Sequence, residues 1–394
     1  MKPSAPSGRL GNASEVLQRY LRAFSDLTSV VVVAPGRVAG AASSAVFAGW
    51  HVTDCSAQFV GTARQRTDEL VFESSGTTGD PKLVRYRKQV IRDCATAIAR
   101  MLELEAARDY IALINPRFAY GLSVLHSHHL AGTPVRFAKP PTTLAEWADV
   151  RESLRPDSTI YLAPHHSFLL AQDPHWRFNA PIELVFAGGP LRQSMVDALG
   201  RCFPNATVTN MYGQAELGPR ISIGRSAITA FREGDVGRPL PGVDVRADPQ
   251  GRISVRSPYR MESYVTAAGE PVPADASADW WPTGDVGRVG ADGTVLITGR
   301  AASDINFLGG RIGLDHLRQI VRDVDGVLDV RVSAVRHQAF GECPHLRVLI
   351  PSRANRDAAE RAVRIALSDN IGHAAAAAVV EVLDPASLPE SGKL

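Results

Sequence analysis

The residues best suited to chemistry are concentrated in Phe72-Glu73-Ser74-Ser75-Gly76-Thr77-Thr78-Gly79-Asp80-Pro81-Lys82, directly after a strand-like run. Gly76 and Gly79 let backbone N–H groups approach a phosphate closely. The hydroxyls of Ser74, Ser75, Thr77 and Thr78 donate further hydrogen bonds, and Lys82 adds a point charge. This is the composition of a phosphate cradle. It is not a Walker loop, because the spacing from Gly76 to Lys82 does not fit G-x-x-x-x-G-K-[ST] and Leu83 stands where a hydroxyl is required. Taken alone, such a segment is most often a flexible hairpin tip, so the weight falls on what the rest of the chain carries.

A cradle needs a rigid frame, and the apolar pattern supplies one. Residues 13–24 have helical spacing, 30–34 read as a buried strand, and strand-like runs recur at 70–72, 110–114, 135–138, 159–162, 184–187 and 207–210, with a helix over 88–104. This alternation predicts largely parallel sheets covered by helices. From about Gly234 short strands lie between Pro and Gly turns and end at 294–298, a β-rich subdomain. Beyond Arg300, helices at 314–324 and 356–367 alternate with strands at 327–335, 346–350 and 379–383. The predicted class is α/β. A large N-terminal domain of helix-covered sheets plus the β-rich subdomain spans 1–299, and a small mobile C-terminal α+β cap spans 300–394.

The composition narrows the partners. At 394 residues the chain has room for two or three domains of roughly 150 residues each. Hydrophobic residues at 45% and charged residues at 21% exclude a disordered or fibrous protein. Lys and Arg total 43 against 41 for Asp and Glu, a net charge of +2, which offers no field for nucleic acid or anionic lipid. Cys55, Cys94, Cys202 and Cys343 are far apart and lack C-x-x-C spacing, so they read as reduced thiols rather than a zinc site or a disulfide framework. No signal-peptide core or bilayer-length apolar run appears, and a soluble cytoplasmic protein is expected.

Other segments place the loop in an ordered set: Ala187-Gly188-Gly189-Pro190-Leu191, Tyr212-Gly213-Gln214-Ala215-Glu216, Gly237-Arg238-Pro239 with Pro241-Gly242, Thr283-Gly284-Asp285, Gly299-Arg300 with 309–312, and Leu388-Pro389-Glu390-Ser391-Gly392-Lys393. In this order they resemble the signatures of the adenylate-forming superfamily, which contains acyl-CoA synthetases, nonribosomal-peptide adenylation domains and luciferases. The resemblance runs from about residue 70 to the end, as in a short member with an abbreviated N-terminus.

It implies ATP-dependent activation of a carboxylic acid to an acyl-adenylate with release of pyrophosphate, then acyl transfer to CoA or a phosphopantetheinyl carrier-protein thiol. The alternatives are an amide-forming ligase with an amine acceptor, or a non-catalytic relative that binds nucleotide or acyl ligand. In-line attack at the α-phosphate rests on positioning and charge neutralisation. By resemblance, Ser74, Ser75, Gly76, Thr77, Thr78, Gly79 and Lys82 hold the β- and γ-phosphates, and Glu216 holds Mg2+. Tyr212, followed by Gly213, stacks on adenine, and the backbone around Gly188 and Gly189 reads its edge. Asp285 accepts from the ribose hydroxyls and Arg300 donates to the same sugar. Lys393 bridges the acid and the α-phosphate, so Lys393, Glu216 and Thr78 are the catalytic candidates.

The chain departs from the family pattern at Ala215, where a Thr hydroxyl is expected, a donor worth about 0.5–1.5 kcal/mol. Ala302 takes the hinge position by alignment only. The acyl-pocket candidates are Phe118, Tyr120, Gly121, His165, Phe186 and Met211, a mixture of aromatic and small residues that suits a flat, aromatic acid. With Phe186-Ala187 where amino-acid-activating relatives carry an Asp, an amino-acid substrate is disfavoured. His126, His128 and His129 fit no metal pattern and read as packed or surface residues. The small size suggests a specialised secondary-metabolite pathway. Lys393→Ala is expected to slow adenylation by roughly 10²–10³-fold while thioester formation from supplied adenylate stays within a few-fold; equal losses in the two half-reactions, measured separately, would contradict the role.

Overall fold

The computed structural model describes residues 20–22, 24–25, 31–33, 50–53, 56–59, 68–74, 82–116, 118–138, 140–141, 143–170, 176–265, 271–273, 279–300, 304–307, 310–337, 341–352 and 354–387. A seven-stranded sheet is the frame. Tyr110–Ala112, Arg136–Phe137, Thr159–Leu162, Ile182–Phe186 and Ala206–Tyr212 run parallel, and Ser222–Ala227 and Arg238–Pro239 extend the sheet antiparallel. Every residue of Thr159–Leu162 and Ile182–Phe186 is buried, as expected of parallel strands covered on both faces. Alternate side chains serve different cores. Val185 and Ala187 pack with Tyr110, Tyr120 and Met211, whereas Leu184 and Phe186 pack with Trp147, Leu191 and Met195.

A second sheet contains Val31–Val33, Glu69–Ser74, Lys82–Arg87, Ser263–Val265 and Pro271–Pro273. Glu69–Ser74 and Lys82–Arg87 pair antiparallel with Ser74 opposite Lys82, so the two ends of the candidate phosphate loop face each other. A third, antiparallel sheet is built from Asp244–Ala247, Arg252–Arg256, Trp281–Val289 and Val295–Arg300, with Asp285 opposite Arg300. Trp50–Thr53 and Ser56–Phe59 form a separate two-stranded ribbon.

Helix Lys88–Met101 buries Ile91, Cys94, Ala95 and Ile98, one face at helical spacing. Helix Ala119–Ala131 has no such stripe: Tyr120 to His128 are all buried, so no amphipathic period marks it in the sequence. From Asp304 onward the chain forms a five-stranded sheet with helices Leu314–Arg322 and Arg356–Ile371. The core of this unit, with Leu317, Val321, Leu346, Val348, Val363 and Leu367, is drawn from residues 314–382. A bridge from Arg192 to Asp329, at 2.6 Å, joins it to the segment after Gly188-Gly189. The architecture is the α/β class read from the pattern. Among the described residues no helix is long and apolar enough to cross a membrane.

The histidine cluster is packing. His126 meets the Tyr20 hydroxyl at 2.5 Å and stacks on Phe24; His128 sits between Thr133 and Tyr161 at 2.7 and 2.8 Å; His129 meets Ser25 at 2.8 Å. Cys94, Cys202 and Cys343 are free and buried, and Cys55 lies outside the described residues. Burial pushes His126 down to about 3, His128 to about 4, and His166 well below the ordinary value. The unfolded chain takes up these protons near pH 6.5, whereas the native protein resists them until about pH 4, so stability is full above pH 6.5 and falls as the pH drops from 6.5 to 4. The urea midpoint is expected to decline across that window, by on the order of 1 kcal/mol per pH unit for each such histidine. A His128→Gln variant whose midpoint declines as steeply as wild type would contradict the assignment.

Candidate active site

Residues 212–218 leave the seven-stranded sheet at Tyr212 and are fixed on two sides. Toward the third sheet, the Tyr212 hydroxyl donates to Asp285 at 2.5 Å, and Gln214 Nε2 donates to the Thr283 carbonyl at 2.7 Å and to Asp285 at 3.1 Å. Toward the second sheet, the Tyr86 hydroxyl donates to the Ala215 carbonyl at 2.5 Å and accepts from Gly218 N–H at 2.9 Å, while the Tyr264 hydroxyl donates to Glu216 at 3.1 Å. The segment doubles back so tightly that a Cβ on Gly213 would stand 2.0 Å from the Pro219 oxygen, so glycine is required there.

Asp285 closes one end of this arrangement. It is 5% exposed and accepts from Tyr212, Gln214 and, at 2.7 Å, Arg300, three donors on one carboxylate. Burial and the Asp285 charge hold the Tyr212 phenol well above its ordinary range, so it remains a donor. At the opposite end, Lys82 Nζ stands 5.1 Å from the Tyr264 ring centre, over the same ring whose hydroxyl reaches Glu216. Burial and then Glu216 raise the Tyr264 phenol. The Ser74 hydroxyl opposite Lys82 is buried and has no partner among the described residues, a donor left over at the mouth of the loop. Lys82, Glu216, Tyr212, Asp285 and Arg300 are therefore linked through one continuous set of contacts. Ser75, Gly76, Thr77, Thr78, Gly79, Ala302 and Lys393 lie outside the described residues.

The pocket candidates divide. Gly188 adopts φ +88°, and Tyr120 lies 3.9 Å from where its Cβ would stand; Pro164, next to His165, lies 3.7 Å from the same point on Gly189. Met211 packs in the core that holds Tyr120. Phe118 precedes the helix and is half-buried. Gly121 is where that helix touches the chain before it, since a Cβ would fall 2.2 Å from the Asn115 oxygen. Phe186 is a correction to the sequence expectation. It has no exposed surface and points into the opposite core, because strand alternation turns it away from Val185 and Ala187. Burial pushes His165 down to about 4, so it is neutral at pH 7.

A family model described as AMP-binding enzyme matches residues 70–265. The chain is 26% identical over 358 residues to 4-coumarate–CoA ligase 5 of Oryza sativa subsp. japonica, an alignment covering 82% of this chain and 64% of that relative's length. The amide bond synthetase McbA of Marinactinospora thermotolerans superposes with a TM-score of 0.58 at 21% identity, covering 85% of this chain and 70% of that one. The o-succinylbenzoate CoA synthetase MenE of Bacillus subtilis, in complex with an acyl-adenylate intermediate, gives a TM-score of 0.58 at 20% identity, covering 82% and 67%. Residues 70–265 match the AMP-binding enzyme family, and the fold is that of adenylate-forming enzymes.

Within this adenylate-forming fold, among the described residues no group of three His, Cys, Asp or Glu side chains could enclose a metal. A single carboxylate such as Glu216 still suits Mg2+, which takes one or two protein oxygens and completes its shell with phosphates and water. Sequence reasoning gave no role to Tyr86, Gln214 or Tyr264, which fix the Glu216 turn. Gln214 lies inside a recognised motif, but Tyr86 and Tyr264 belong to none, and only the strand pairing of Val84 with Tyr264 brings them together. Asp285→Ala is expected to weaken nucleotide binding by about 10–100-fold, in line with lost charge-assisted hydrogen bonds. Tyr212→Phe, which keeps the ring, should weaken it much less than Tyr212→Ala. Calorimetric titration with AMP checks both, and equal losses in the two Tyr212 variants would contradict a stacking role.

Proposed function

We propose that the chain is an AMP-forming acid–thiol ligase: it activates a carboxylic acid with ATP to an acyl-adenylate, releasing pyrophosphate, and passes the acyl group to CoA or a carrier-protein thiol. The observation that carries this reading is the double anchoring of residues 212–218, which places the Glu216 carboxylate near Lys82 and the Asp285 carboxylate at the other end of the same turn. The separation of roles follows from charge. Asp285, held by three donors, is an oriented acceptor for sugar hydroxyls. Lys82 and the orphaned Ser74 hydroxyl offer positive charge and a donor where phosphates gather. Mg2+ held by Glu216 would supply neutralisation of phosphate charge.

Ser75, Gly76, Thr77, Thr78 and Gly79 complete the phosphate site in this reading, and Lys393 brings a cation to the reacting carboxylate. The separate core of residues 314–382 supports a cap unit, 300–394, that carries Lys393 and turns about Ala302. We assign the acid pocket to the space bordered by Phe118, Tyr120, His165 and Met211, beside Gly188 and Gly189, in a soluble cytoplasmic enzyme whose partners are a small acid and a thiol acceptor.

Carboxylate-dependent pyrophosphate–ATP exchange across a panel of acids tests the reading. At least one acid should raise exchange by about 10²-fold or more over the acid-free rate, and Asp285→Ala should abolish the stimulation; a protein that binds AMP but exchanges with no acid would overturn it. AMP release stimulated by CoA but not by amines supports the thiol acceptor, and the reverse result favours amide formation.

A further inference from the structure

Between helix Lys88–Met101 and the Gly188 segment sits a guanidinium whose gripping edge holds nothing. Arg220 is 3% exposed. Its Nη1 donates to the Pro219 carbonyl at 2.6 Å, and its Cζ lies 4.7 Å from the centre of the Tyr120 ring. Its Nε and Nη2 are buried and, among the described residues, have no hydrogen-bond partner. These two nitrogens form the side-on fork of a guanidinium, the edge that takes both oxygens of a carboxylate. At Arg192 and Arg256 that edge is filled: Nε and Nη2 of Arg192 meet Asp329 at 3.2 and 2.6 Å, and those of Arg256 meet Asp244 at 3.0 and 2.7 Å.

Among the described residues the surroundings supply no counter-charge. Tyr120, Cys94 and Tyr161 act on Arg220, and burial raises the pKa of each of the three, so they are neutral at pH 7. Burial lowers Arg220 itself only to about 10, which leaves it cationic. A buried, unpaired cation is costly and persists where a ligand meets it. Arg220 also lies at the site. Its Cα is 2.9 Å from where a Cβ on Gly213 would stand, and the Tyr120 ring that it faces lies 3.9 Å from where a Cβ on Gly188 would stand. The neutral His165 cannot supply positive charge there.

We propose that the Nε/Nη2 edge of Arg220 receives a second carboxylate of the acid substrate, so that the substrate class is a dicarboxylic acid, one carboxylate activated and the other held at Arg220. The proposal rests on the adenylation reading. Arg220 is the specificity-determining residue rather than the activator, because a guanidinium clamped on the reacting carboxylate would withdraw the electron density that attacks phosphorus.

The test is pyrophosphate exchange by the full chain with matched sets: a dicarboxylic acid, its half methyl ester, and the monocarboxylic acid of equal length. Wild type should prefer the diacid by about 10²-fold or more in kcat/KM. Arg220→Gln and Arg220→Lys should lose most of that preference through the KM of the acid, with the KM of ATP within about threefold, because lysine keeps the charge but not the fork. A wild type that uses the half ester as well as the diacid, or variants that retain the preference, would overturn the proposal and leave the adenylation reading standing. Should Arg220→Gln fail to fold, wild type and Arg220→Lys decide alone. Exchange with no acid at all contradicts the adenylation reading instead, and calorimetric binding of the diacid, kept by wild type and lost in Arg220→Lys, then still decides the Arg220 assignment.

Discussion

The turn at residues 212–218 is the constraint on which the rest of the site depends. It leaves one sheet and is hydrogen-bonded to two others, through Tyr86 and Tyr264 on one side and Thr283 and Asp285 on the other. Because Gly213 allows the chain to fold back against Pro219 and Arg220, these contacts form without moving any sheet. The groups around Glu216 and Asp285 are then held at a fixed separation, the preorganisation that the proposed phosphoryl chemistry requires.

The polar groups around this turn are unequally satisfied, and the inequality has chemical meaning. Asp285 has three donors, so its charge is stabilised and its orientation fixed before any ligand arrives. Among the described residues, Ser74 and Arg220 are buried with donors unmet, one beside Lys82 and one beside Tyr120. Stability alone would select against both. In an adenylating enzyme they are explained as donors waiting for oxygens that the substrates bring.

Much of this was legible in the sequence. The strands at 159–162 and 379–383 were placed to the residue, and the helix starting at Lys88 was found, because their apolar periods are clean. Asp285, Arg300 and Glu216 were marked by motif, and the structure links them. Helix Ala119–Ala131 was not visible, because burial on every side removes the polar stripe that marks a surface helix. Phe186 was misplaced because its face depends on strand phase, which a motif does not encode. Tyr86, Tyr264 and Arg220 were missed for a shared reason: their importance arises from contacts with residues distant in sequence, Tyr86 with Ala215, Tyr264 with Glu216 and Arg220 with Tyr120. Such facts exist only once the chain has folded.

The central claim is that three separate stretches of chain close on a single nucleotide. Amide hydrogen exchange of the full chain with and without saturating AMP tests it directly. The account predicts that one ligand slows exchange together in residues 82–87, 212–218 and 283–286, with the same dependence on AMP concentration. Protection confined to one of these stretches, under conditions where calorimetry shows AMP bound, would contradict it.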